Sequence, residues 1–440
     1  MGHERFHYRN LEEIKEKARE LGVHIPFSQN TELLTKEVSF GNVTLKNRLG
    51  IAPLEGADGL ADGSPSELTL RRYLRYARGG SGMIWIEAIA LAPEARCGTK
   101  QMMLTKDNLD NFKAFTAAIR EAGMQANGFA PYLVIQAHHS GRYSAPGGKA
   151  APLIAYRHPV LDKGMDIDDS CIVTDDYLKK VEEEFAEFAL LAKEAGFDAV
   201  DVKCCHGYLL TELTSAYERP GMYGGSFENR TRLLRNSVQA AKVHETKDFM
   251  VTARIGIYDG LAWPYGFGVK EGGDSTPDMD EPIRLVRSLY EDYGVSMVNL
   301  TVGNPCVYKH MNRPYDMGAY IPDEHPLEGM ARISACIGAV KKAVPEMFIS
   351  ASAPSYLRQY AGFYTAGAIE EGLLDQMLFG RMAYANPGFA NQIAENGMID
   401  PAKTCVACGS CETLIGGGKP TGCVVRDGEV YLPYFKELKK

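Results

Sequence analysis

Short apolar runs alternate with longer amphipathic stretches along most of the chain from residue 37 onward. Stretches such as 185–196 and 280–294 space their apolar residues as amphipathic helices do. The runs between the helical stretches have the length and the apolar, β-branched composition of buried strands: residues 49–53, 83–90, 132–137, 198–203, 249–254, 296–301, 347–352 and 375–380. Eight such units predict an α/β fold, a closed (β/α)8 TIM barrel, whose functional side chains gather at the carboxyl ends of the strands.

The barrel is expected to carry an extension at each end. Residues 8–21 place apolar side chains at helical spacing with charges between them, which predicts an amphipathic helix ahead of the barrel. We therefore divide the chain into a short N-terminal helical extension (1–36), the barrel (37–398) and a C-terminal cysteine-rich segment (399–440). Because no Gly-x-Gly-x-x-Gly fingerprint follows any predicted strand, we expect no built-in dinucleotide-binding domain.

The composition narrows the class of protein. Of the 440 residues, 45% are apolar and 24% are charged, and the net charge of −8 gives no electrostatic support for a nucleic-acid partner. No run of about 18 apolar residues offers a membrane span, and the opening MGHERFHYRN lacks the apolar stretch of a signal peptide. Ten cysteines in a chain of this length suit a reducing compartment. We therefore expect a cytoplasmic protein without a membrane partner.

Four cysteines near the C-terminus form the clearest candidate for a metal centre. Three of them follow the spacing Cys-x-x-Cys-x-x-Cys and the fourth lies close behind: Cys405, Cys408, Cys411 and Cys423. Nearby glycines, including Gly409 and Gly416, allow the backbone to bend tightly around a compact inorganic core. The pattern favours a 4Fe-4S cluster held by four thiolates. A structural zinc site, which more often pairs two separated Cys-x-x-Cys motifs, is the alternative.

Several segments at the predicted strand ends together resemble the old yellow enzyme family of FMN-dependent oxidoreductases, over about residues 37–400. They are VTLKNRLGIAPL (43–54), RYARGGSGMIWIE (75–87), QAHHSGRYS (136–144), GFDAVDVKCCHGYLL (196–210), YGGSFENRTRLL (223–234) and FGRMAYANP (379–387). The HSGRYS segment and the C-terminal cysteines are most similar to the branch that contains 2,4-dienoyl-CoA reductase and trimethylamine dehydrogenase. Members of that branch carry both FMN and a 4Fe-4S cluster.

The resemblance implies an FMN site at the carboxyl ends of the strands. Its expected cofactor-binding residues are Ala52, Pro53, Leu54, Gln136, Arg254, Ser352, Ala353, Gly380 and Arg381. The Gln136 amide suits the pyrimidine edge of the flavin, and Arg254 suits the N1 and C2 oxygen region, where negative charge collects on reduction. Relatives usually have paired glycines in place of Ser352 and Ala353, so backbone donation to the phosphate there requires a conformation that tolerates a Cβ atom.

The segment DVKCCHGYLL carries the expected catalytic residues Lys203, His206 and Tyr208. In relatives a His/Asn or His/His pair at the first two positions binds the substrate carbonyl, and a tyrosine at the third supplies a proton. The chain departs from this pattern at Lys203. Its ammonium group can polarise a carbonyl, pair with a substrate carboxylate or pair with a protein acid such as Glu55, which stands where relatives often have threonine.

The resemblance implies an FMN-dependent ene-reductase that reduces the activated C=C bond of an α,β-unsaturated carbonyl or acid-type substrate. Electrons would arrive through the 4Fe-4S cluster or from NAD(P)H. Because relatives continue into a pyridine-nucleotide domain that this sequence lacks, we expect an external donor. The alternatives are an amine dehydrogenase or demethylase of the trimethylamine dehydrogenase type and an electron-transfer subunit. The candidate partners are a small-molecule substrate, a separate electron-donor protein and a second copy of the chain in a homo-oligomer.

Two further expectations concern the surroundings of the site. His139 and Arg142 follow the third strand in a His-x-Gly-Arg pattern that relatives carry near the flavin or the cluster, so we expect them to tune its electrostatics. The long segments 255–281 and 302–318 contain several aromatic residues. Loops of this length inside a compact domain are usually functional, so we expect them to form a substrate lid.

Overall fold

The computed structural model describes residues 4–318 and 320–439. Its strands are β1 (Val38–Phe40), β2 (Val43–Leu45), β3 (Leu49–Ile51), β4 (Met83–Ala90), β5 (Tyr132–His138), β6 (Ala199–Cys204), β7 (Met250–Gly256), β8 (Met297–Thr301), β9 (Phe348–Ala351) and β10 (Gln376–Phe379). Strands β3 to β10 pair in parallel and close into a barrel in the order β10-β3-β4-β5-β6-β7-β8-β9. The predicted (β/α)8 barrel is confirmed. All eight predicted runs form its strands, with ends that differ by at most two residues.

The helices pack around this barrel; many of them join consecutive strands, and the others lie in the segments before and after the strands. They are α1 (Leu11–Glu20), α2 (Glu67–Arg78), α3 (Leu109–Asn127), α4 (Asp175–Glu194), α5 (Leu209–Thr214), α6 (Phe227–Arg230), α7 (Arg232–Lys242), α8 (Asp280–Glu291), α9 (Lys309–Asn312), α10 (Pro326–Ala343), α11 (Ala361–Glu370), α12 (Arg381–Ala385), α13 (Phe389–Asn396), α14 (Ser410–Gly416) and α15 (Gly428–Glu437). Hydroxyl side chains cap the starts of two long helices, Ser66 for α2 and Thr174 for α4. In the described part of the chain, no helix combines the length and apolar composition that a bilayer crossing requires.

The hairpin of β1 and β2 packs against the amino-terminal end of the barrel interior. The ring of Phe40 in β1 stacks on Phe348 in β9 with 4.1 Å between the ring centroids. Both belong to an apolar cluster with inward-facing residues of the barrel strands, including Trp85. Because this end of the barrel is filled with packed side chains, space for a ligand is left at the opposite end, where the strands terminate.

The N-terminal segment packs on the outside of the barrel through apolar contacts. Helix α1 buries Leu11, Ile14 and Ala18, which join the main hydrophobic core. Ahead of the helix, the backbone amide of Phe6 donates a 2.8 Å hydrogen bond to the carboxylate of Asp316. The helix predicted at 8–21 is therefore present at Leu11–Glu20, and its apolar face contributes to the core of the domain.

Polar contacts attach the C-terminal segment to the barrel. Asp427 forms ion pairs with Arg71, at 2.9 Å, and with Arg75, both on α2. The amide of Thr421 donates a 2.7 Å hydrogen bond to the carbonyl oxygen of Gly56, in the loop after β3. These contacts hold the segment beside the carboxyl ends of β3 and β10.

Because α1 contributes to the core, we expect Ile14→Ala to destabilise the protein by about 2–5 kcal/mol, since Ile14 is fully buried and its loss leaves a cavity. The midpoint of thermal unfolding should fall clearly below that of the wild type. Glu16→Ala, at an exposed position of the same helix, is the control and should leave the midpoint nearly unchanged. Equal midpoints for the two variants would contradict a contribution of α1 to the core.

Candidate functional site

A cavity of about 490 Å³ lies at the carboxyl ends of the barrel strands. Its volume falls within the roughly 300–1,000 Å³ that is usual for small-molecule sites. The residues that we expected to bind a cofactor or to act in catalysis all line it: Ala52, Pro53, Leu54, Gln136, Arg254, Ser352, Ala353, Gly380, Arg381, Lys203, His206 and Tyr208. The fold thus brings together side chains that are spread over more than 300 positions of the sequence, although their individual roles stay predictions.

A fully buried carboxylate, Asp201 on β6, organises the floor of this cavity. It accepts hydrogen bonds from the Gln136 amide nitrogen (2.6 Å), the Trp85 indole nitrogen (2.8 Å) and the backbone amide of Arg254 (2.5 Å). The bond to Gln136 fixes the orientation of that side-chain amide. Asp201 therefore joins β4, β5 and β7 to β6 directly beneath the site.

The polar groups at this floor fit the edge of a flavin. With its nitrogen held by Asp201, Gln136 presents an amide of defined orientation, which suits the mixed donors and acceptors of the pyrimidine ring. The Nε atom of Arg254 is buried and has no hydrogen-bond partner among the described residues. An unsatisfied guanidinium nitrogen at a cavity wall is suited to an acceptor on a bound molecule.

The other end of the cavity has a backbone that fits a phosphate. Ala353 adopts the left-handed conformation, with a φ of 88°, so an alanine occupies the conformation that glycine usually takes. Ala353 and Gly380 both line the cavity, and a Cβ atom at Gly380 would approach Leu54 to 3.3 Å. The departure from paired glycines therefore preserves the backbone turn on which amide donation to a phosphate depends.

Lys203 places a buried positive charge in the cavity. The residue is 5% exposed, and its ammonium nitrogen lies 4.2 Å from the centre of the Tyr208 ring. No carboxylate among the described residues lies within ion-pair distance of it. Burial lowers the pKa of Lys203, while Cys205 and then Glu55 act in the opposite direction. A buried ammonium without an ion-pair partner is unfavourable unless a ligand supplies the opposite charge.

Glu55 lines the same cavity without neutralising Lys203. Burial, followed by the nearby carboxylate of Glu87, raises the pKa of Glu55 to about 8, although Lys203 and Arg72 oppose the shift. Its Oε1 atom is buried and has no hydrogen-bond partner in the described part of the structure. Glu87 is itself held by Arg72, at 2.6 Å. At neutral pH Glu55 is therefore largely protonated and adds little negative charge to the cavity.

The imidazole of His206 is held against the loop that follows β8. Its Nε2 atom lies 3.2 Å from the side-chain nitrogen of Asn312 and 3.4 Å from the hydroxyl of Thr301. The same Asn312 nitrogen donates to Thr301 at 2.9 Å and to the backbone oxygen of Val302 at 3.1 Å, which fixes its position beside the imidazole. Burial, followed by the charge of Arg254, lowers the pKa of His206 well below its usual value. The side chain is thus a neutral hydrogen-bond donor.

Tyr208 stands among aromatic rings at the cavity wall. The centre of its ring lies 4.4 Å from that of His138 and 5.7 Å from that of Tyr143, both in edge-to-face geometry. Burial raises the pKa of Tyr208 well above its usual value, so the phenol keeps its proton. The site therefore contains a neutral phenol, a neutral imidazole and an ammonium group close together, a set suited to stabilising an oxyanion and donating a proton.

The four C-terminal cysteines surround a second, smaller cavity next to the first. Backbone amides donate to two of the sulfur atoms, from Ala407 to Cys405 (3.4 Å) and from Arg426 to Cys423 (3.2 Å). Across residues 4–318 and 320–439, no three His, Cys, Asp or Glu side chains converge as ligands of a single metal ion. The four thiols and the amide donors to two of their sulfur atoms fit a cluster, in which each thiolate binds a different iron.

Some expected residues lie away from the cavity. Arg142 forms buried ion pairs with Glu212, at 2.5 Å, and with Asp162, and His139 bonds to the hydroxyl of Tyr177 at 2.8 Å. Neither His139 nor Arg142 lines the cavity, so our expectation that they tune its electrostatics receives no support from their position. Residues 255–281 do not line the cavity either, so their position gives no support to the expectation that they form a lid. The segment 302–318 contributes six residues to the wall: Pro305, Cys306, Asn312, Arg313, Tyr315 and Gly318.

Several wall residues were not expected as members of the site. Tyr143 belongs to the QAHHSGRYS segment, and its position there was the available signal. Asn312 and Arg313 lie in the expected lid but carry no motif. Tyr384 follows Arg381 by one helical turn, and its hydroxyl donates to the backbone oxygen of Glu55 at 2.8 Å. Tertiary contacts that have no sequence signature bring Asn312 and Arg313 to the wall.

The left-handed Ala353 yields a test of the phosphate end of the cavity. We expect Ala353→Val to weaken FMN binding by about tenfold, because a β-branched side chain strains this backbone conformation further. Ala353→Gly should bind FMN at least as tightly as the wild type, since it removes a strain of about 1–2 kcal/mol. Titration of the apoprotein with FMN, followed by flavin fluorescence, measures both. Equal affinities in all three proteins would show that this turn does not contact the cofactor.

Comparison with known proteins agrees with the arrangement of the cavity. Residues 34–270 match the NADH:flavin oxidoreductase / NADH oxidase family. The chain is 26% identical over 427 residues to a cinnamate reductase of Clostridium sporogenes, covering 93% of this chain and 60% of that protein. It is 31% identical over 223 residues to an NADPH dehydrogenase of Bacillus pumilus, covering 49% of this chain and 61% of that protein.

Solved structures show the same fold. A 2-naphthoyl-CoA reductase in complex with 2-naphthoyl-CoA aligns with a TM-score of 0.73 at 20% identity, covering 93% of this chain and 58% of that one. The chain spans about 60% of the length of the curated relatives it matches. The family match covers more than half of the chain and includes the strand ends that carry Gln136, Lys203 and Arg254. The chain belongs to the NADH:flavin oxidoreductase / NADH oxidase family.

Proposed function

We propose that the protein is an FMN-dependent reductase of a C=C bond conjugated to a carbonyl group, with preference for α,β-unsaturated carboxylates. The observation that carries the proposal is the ammonium group of Lys203, which is buried in the cavity and has no carboxylate partner in the part of the chain that the structure describes. A substrate carboxylate would supply the missing negative charge. The 26% identity to a cinnamate reductase over 93% of the chain supports a substrate of this type.

The cavity residues divide into a cofactor set and a substrate set. Gln136 and Arg254 would hold the flavin ring, and the turn at Ala353 with Gly380 and Arg381 would hold the phosphate. When bound there, FMN supplies the hydride for the β carbon of the substrate.

Three side chains would act on the substrate. Lys203 and His206 bind the carboxylate or carbonyl oxygen and stabilise the negative charge that grows on it as the C=C bond is reduced. Tyr208, which keeps its proton at neutral pH, donates that proton to the α carbon. Lys203 and His206 together form the substrate clamp. The low pKa of His206 makes it a neutral donor, so the positive charge of this clamp comes from Lys203.

The charge of the cavity favours reduction over the two other functions. An amine substrate would enter as a cation and would be repelled by Lys203, which disfavours an amine dehydrogenase or demethylase. An electron-transfer subunit has no need of a deep cavity in which Lys203, His206 and Tyr208 converge. The reductase is therefore the function that these side chains support best.

We also propose that residues 399–440 bind a 4Fe-4S cluster that feeds the flavin. The two cavities share wall residues, among them Arg381, Tyr384 and Cys411. Electrons delivered to the cysteine cavity would therefore arrive directly beside the cofactor. Either NAD(P)H or a separate donor protein would supply them, and the NADPH dehydrogenase similarity supports a nicotinamide source.

Lys203→Met tests the preference for a carboxylate. We expect the affinity for cinnamate to fall by about 10- to 100-fold, because a charge-assisted contact is lost, while the uncharged enone 4-phenylbut-3-en-2-one is affected much less. Anaerobic stopped-flow reoxidation of the reduced flavin measures both substrates. Lys403→Met, at an exposed position, is the control. Equal losses for acid and enone would contradict the pairing of Lys203 with a carboxylate, and failure of the wild type to reduce either would refute the reductase.

Iron and labile sulfide analysis tests the cluster. Protein purified without oxygen should contain about four iron and four sulfide per chain. Cys408→Ser should lose the cluster and keep FMN, because the expected flavin contacts lie on the barrel. Cys171→Ser, outside the cysteine-rich segment, is the matched control and should keep both. Stoichiometric zinc without sulfide would overturn the cluster.

A further inference from the structure

The C-terminal cysteine-rich segment also forms part of the wall of the substrate cavity. Six of its residues line that cavity: Gly409, Cys411, Glu412, Ile415, Gly416 and Thr421. Among them Glu412 is the one side chain with a full negative charge. Neither the family pattern nor our interpretation of the four thiolates gives this carboxylate a role.

Glu412 reaches across the cavity mouth to the loop that follows β8. Its carboxylate pairs with Lys309 and, at 3.0 Å, with Arg313. These two cations flank Asn312, the residue whose side-chain nitrogen contacts His206 Nε2 at 3.2 Å. A connection thus runs from the cysteine-rich segment, through two ion pairs and a short helix, to the imidazole of the substrate clamp.

The residues that follow Arg313 are held by other contacts. The backbone oxygen of Pro314 accepts a 2.9 Å hydrogen bond from Arg381, and Asp316 accepts one from the Phe6 amide at 2.8 Å. Other contacts also hold the stretch 309–313: Asn312 bonds to Thr301 at 2.9 Å, and His310 bonds to the hydroxyl of Tyr320 at 2.8 Å. Glu412 adds a restraint on this stretch from the cavity side, where its carboxylate pairs with both Lys309 and Arg313.

The arrangement is stronger than an isolated surface ion pair. Exposed pairs usually contribute little, but one carboxylate that binds two cations in a partly enclosed position restrains both of them. The side chain of Glu412 is 21% exposed, and those of Lys309 and Arg313 are 33% and 28% exposed. The expected effect is local: it concerns the position of the loop more than the stability of the whole protein.

We propose that Glu412 is a positioning residue of the substrate clamp. By fixing Lys309 and Arg313, it holds Asn312 where its side-chain nitrogen lies 3.2 Å from His206 Nε2 and orients the imidazole. The inference rests on the proposed reductase function. It gives the cysteine-rich segment a second task besides binding a cluster.

The test uses the holoenzyme and compares Glu412→Gln with Glu429→Gln, an exposed glutamate of the same segment. We expect Glu412→Gln to lower kcat/KM for cinnamate by about tenfold, with FMN and iron content unchanged, because the hold on the His206 contact is lost. Hydrogen exchange should rise in peptides from 302–318 and stay constant in α10. Glu429→Gln should match the wild type in every measurement.

A double-variant cycle separates positioning from a purely structural role. If Glu412 acts through Asn312, Glu412→Gln should change kcat/KM by less than about twofold in an Asn312→Ala background. A full additive loss would overturn the proposal, as would raised exchange with wild-type kcat/KM. Unchanged exchange would refute the hold on the loop itself. Failure of the proposed function appears separately, as a wild type that reduces no enoate. In that case exchange in 302–318 still decides whether Glu412 holds the loop.

Discussion

The buried carboxylate of Asp201 is the interaction on which the site depends. It lies at the centre of the barrel and accepts hydrogen bonds from Trp85, Gln136 and the amide of Arg254. Burial raises the pKa of Asp201 to about 6, and these donors, Gln136 first, act against that shift. A buried charge is tolerated only when its hydrogen bonds are complete. The same bonds therefore keep the carboxylate ionised and fix the two residues that would meet the flavin edge.

The protonation states of the groups around the cavity have a common physical cause. Among the described residues Lys203 has no ion-pair partner, Glu55 is held largely protonated by burial and by Glu87, and His206 is neutral. Removal of water favours the neutral forms of Glu55 and His206 and also lowers the pKa of Lys203, because it disfavours charge wherever no partner compensates it. The ammonium group of Lys203 therefore lies next to two neutral donors, His206 and Tyr208, and gains most from a ligand that carries negative charge. The charge of a ligand, in addition to its shape, therefore decides how well it binds in this cavity.

The fold and much of the cavity could be predicted from the sequence because both depend on local patterns. Apolar runs located all eight barrel strands, and motifs at the strand ends located residues such as Gln136 and Arg254. The expectation for His139 receives no support from its position, because it follows the end of β5 and its side chain bonds to the hydroxyl of Tyr177 on α4. Asn312 could not be predicted, since only the folded loop brings it to His206.

The position of the cysteine-rich segment in the chain has a consequence for cofactor loading. This segment follows the barrel in sequence, yet it supplies one wall of the cavity and is anchored to α2 through Asp427. All the expected flavin contacts lie ahead of it, on the barrel. Without this segment, the cavity of the barrel would be open on one side. When the segment packs against the barrel, it covers that side and narrows the route by which a bulky cofactor leaves.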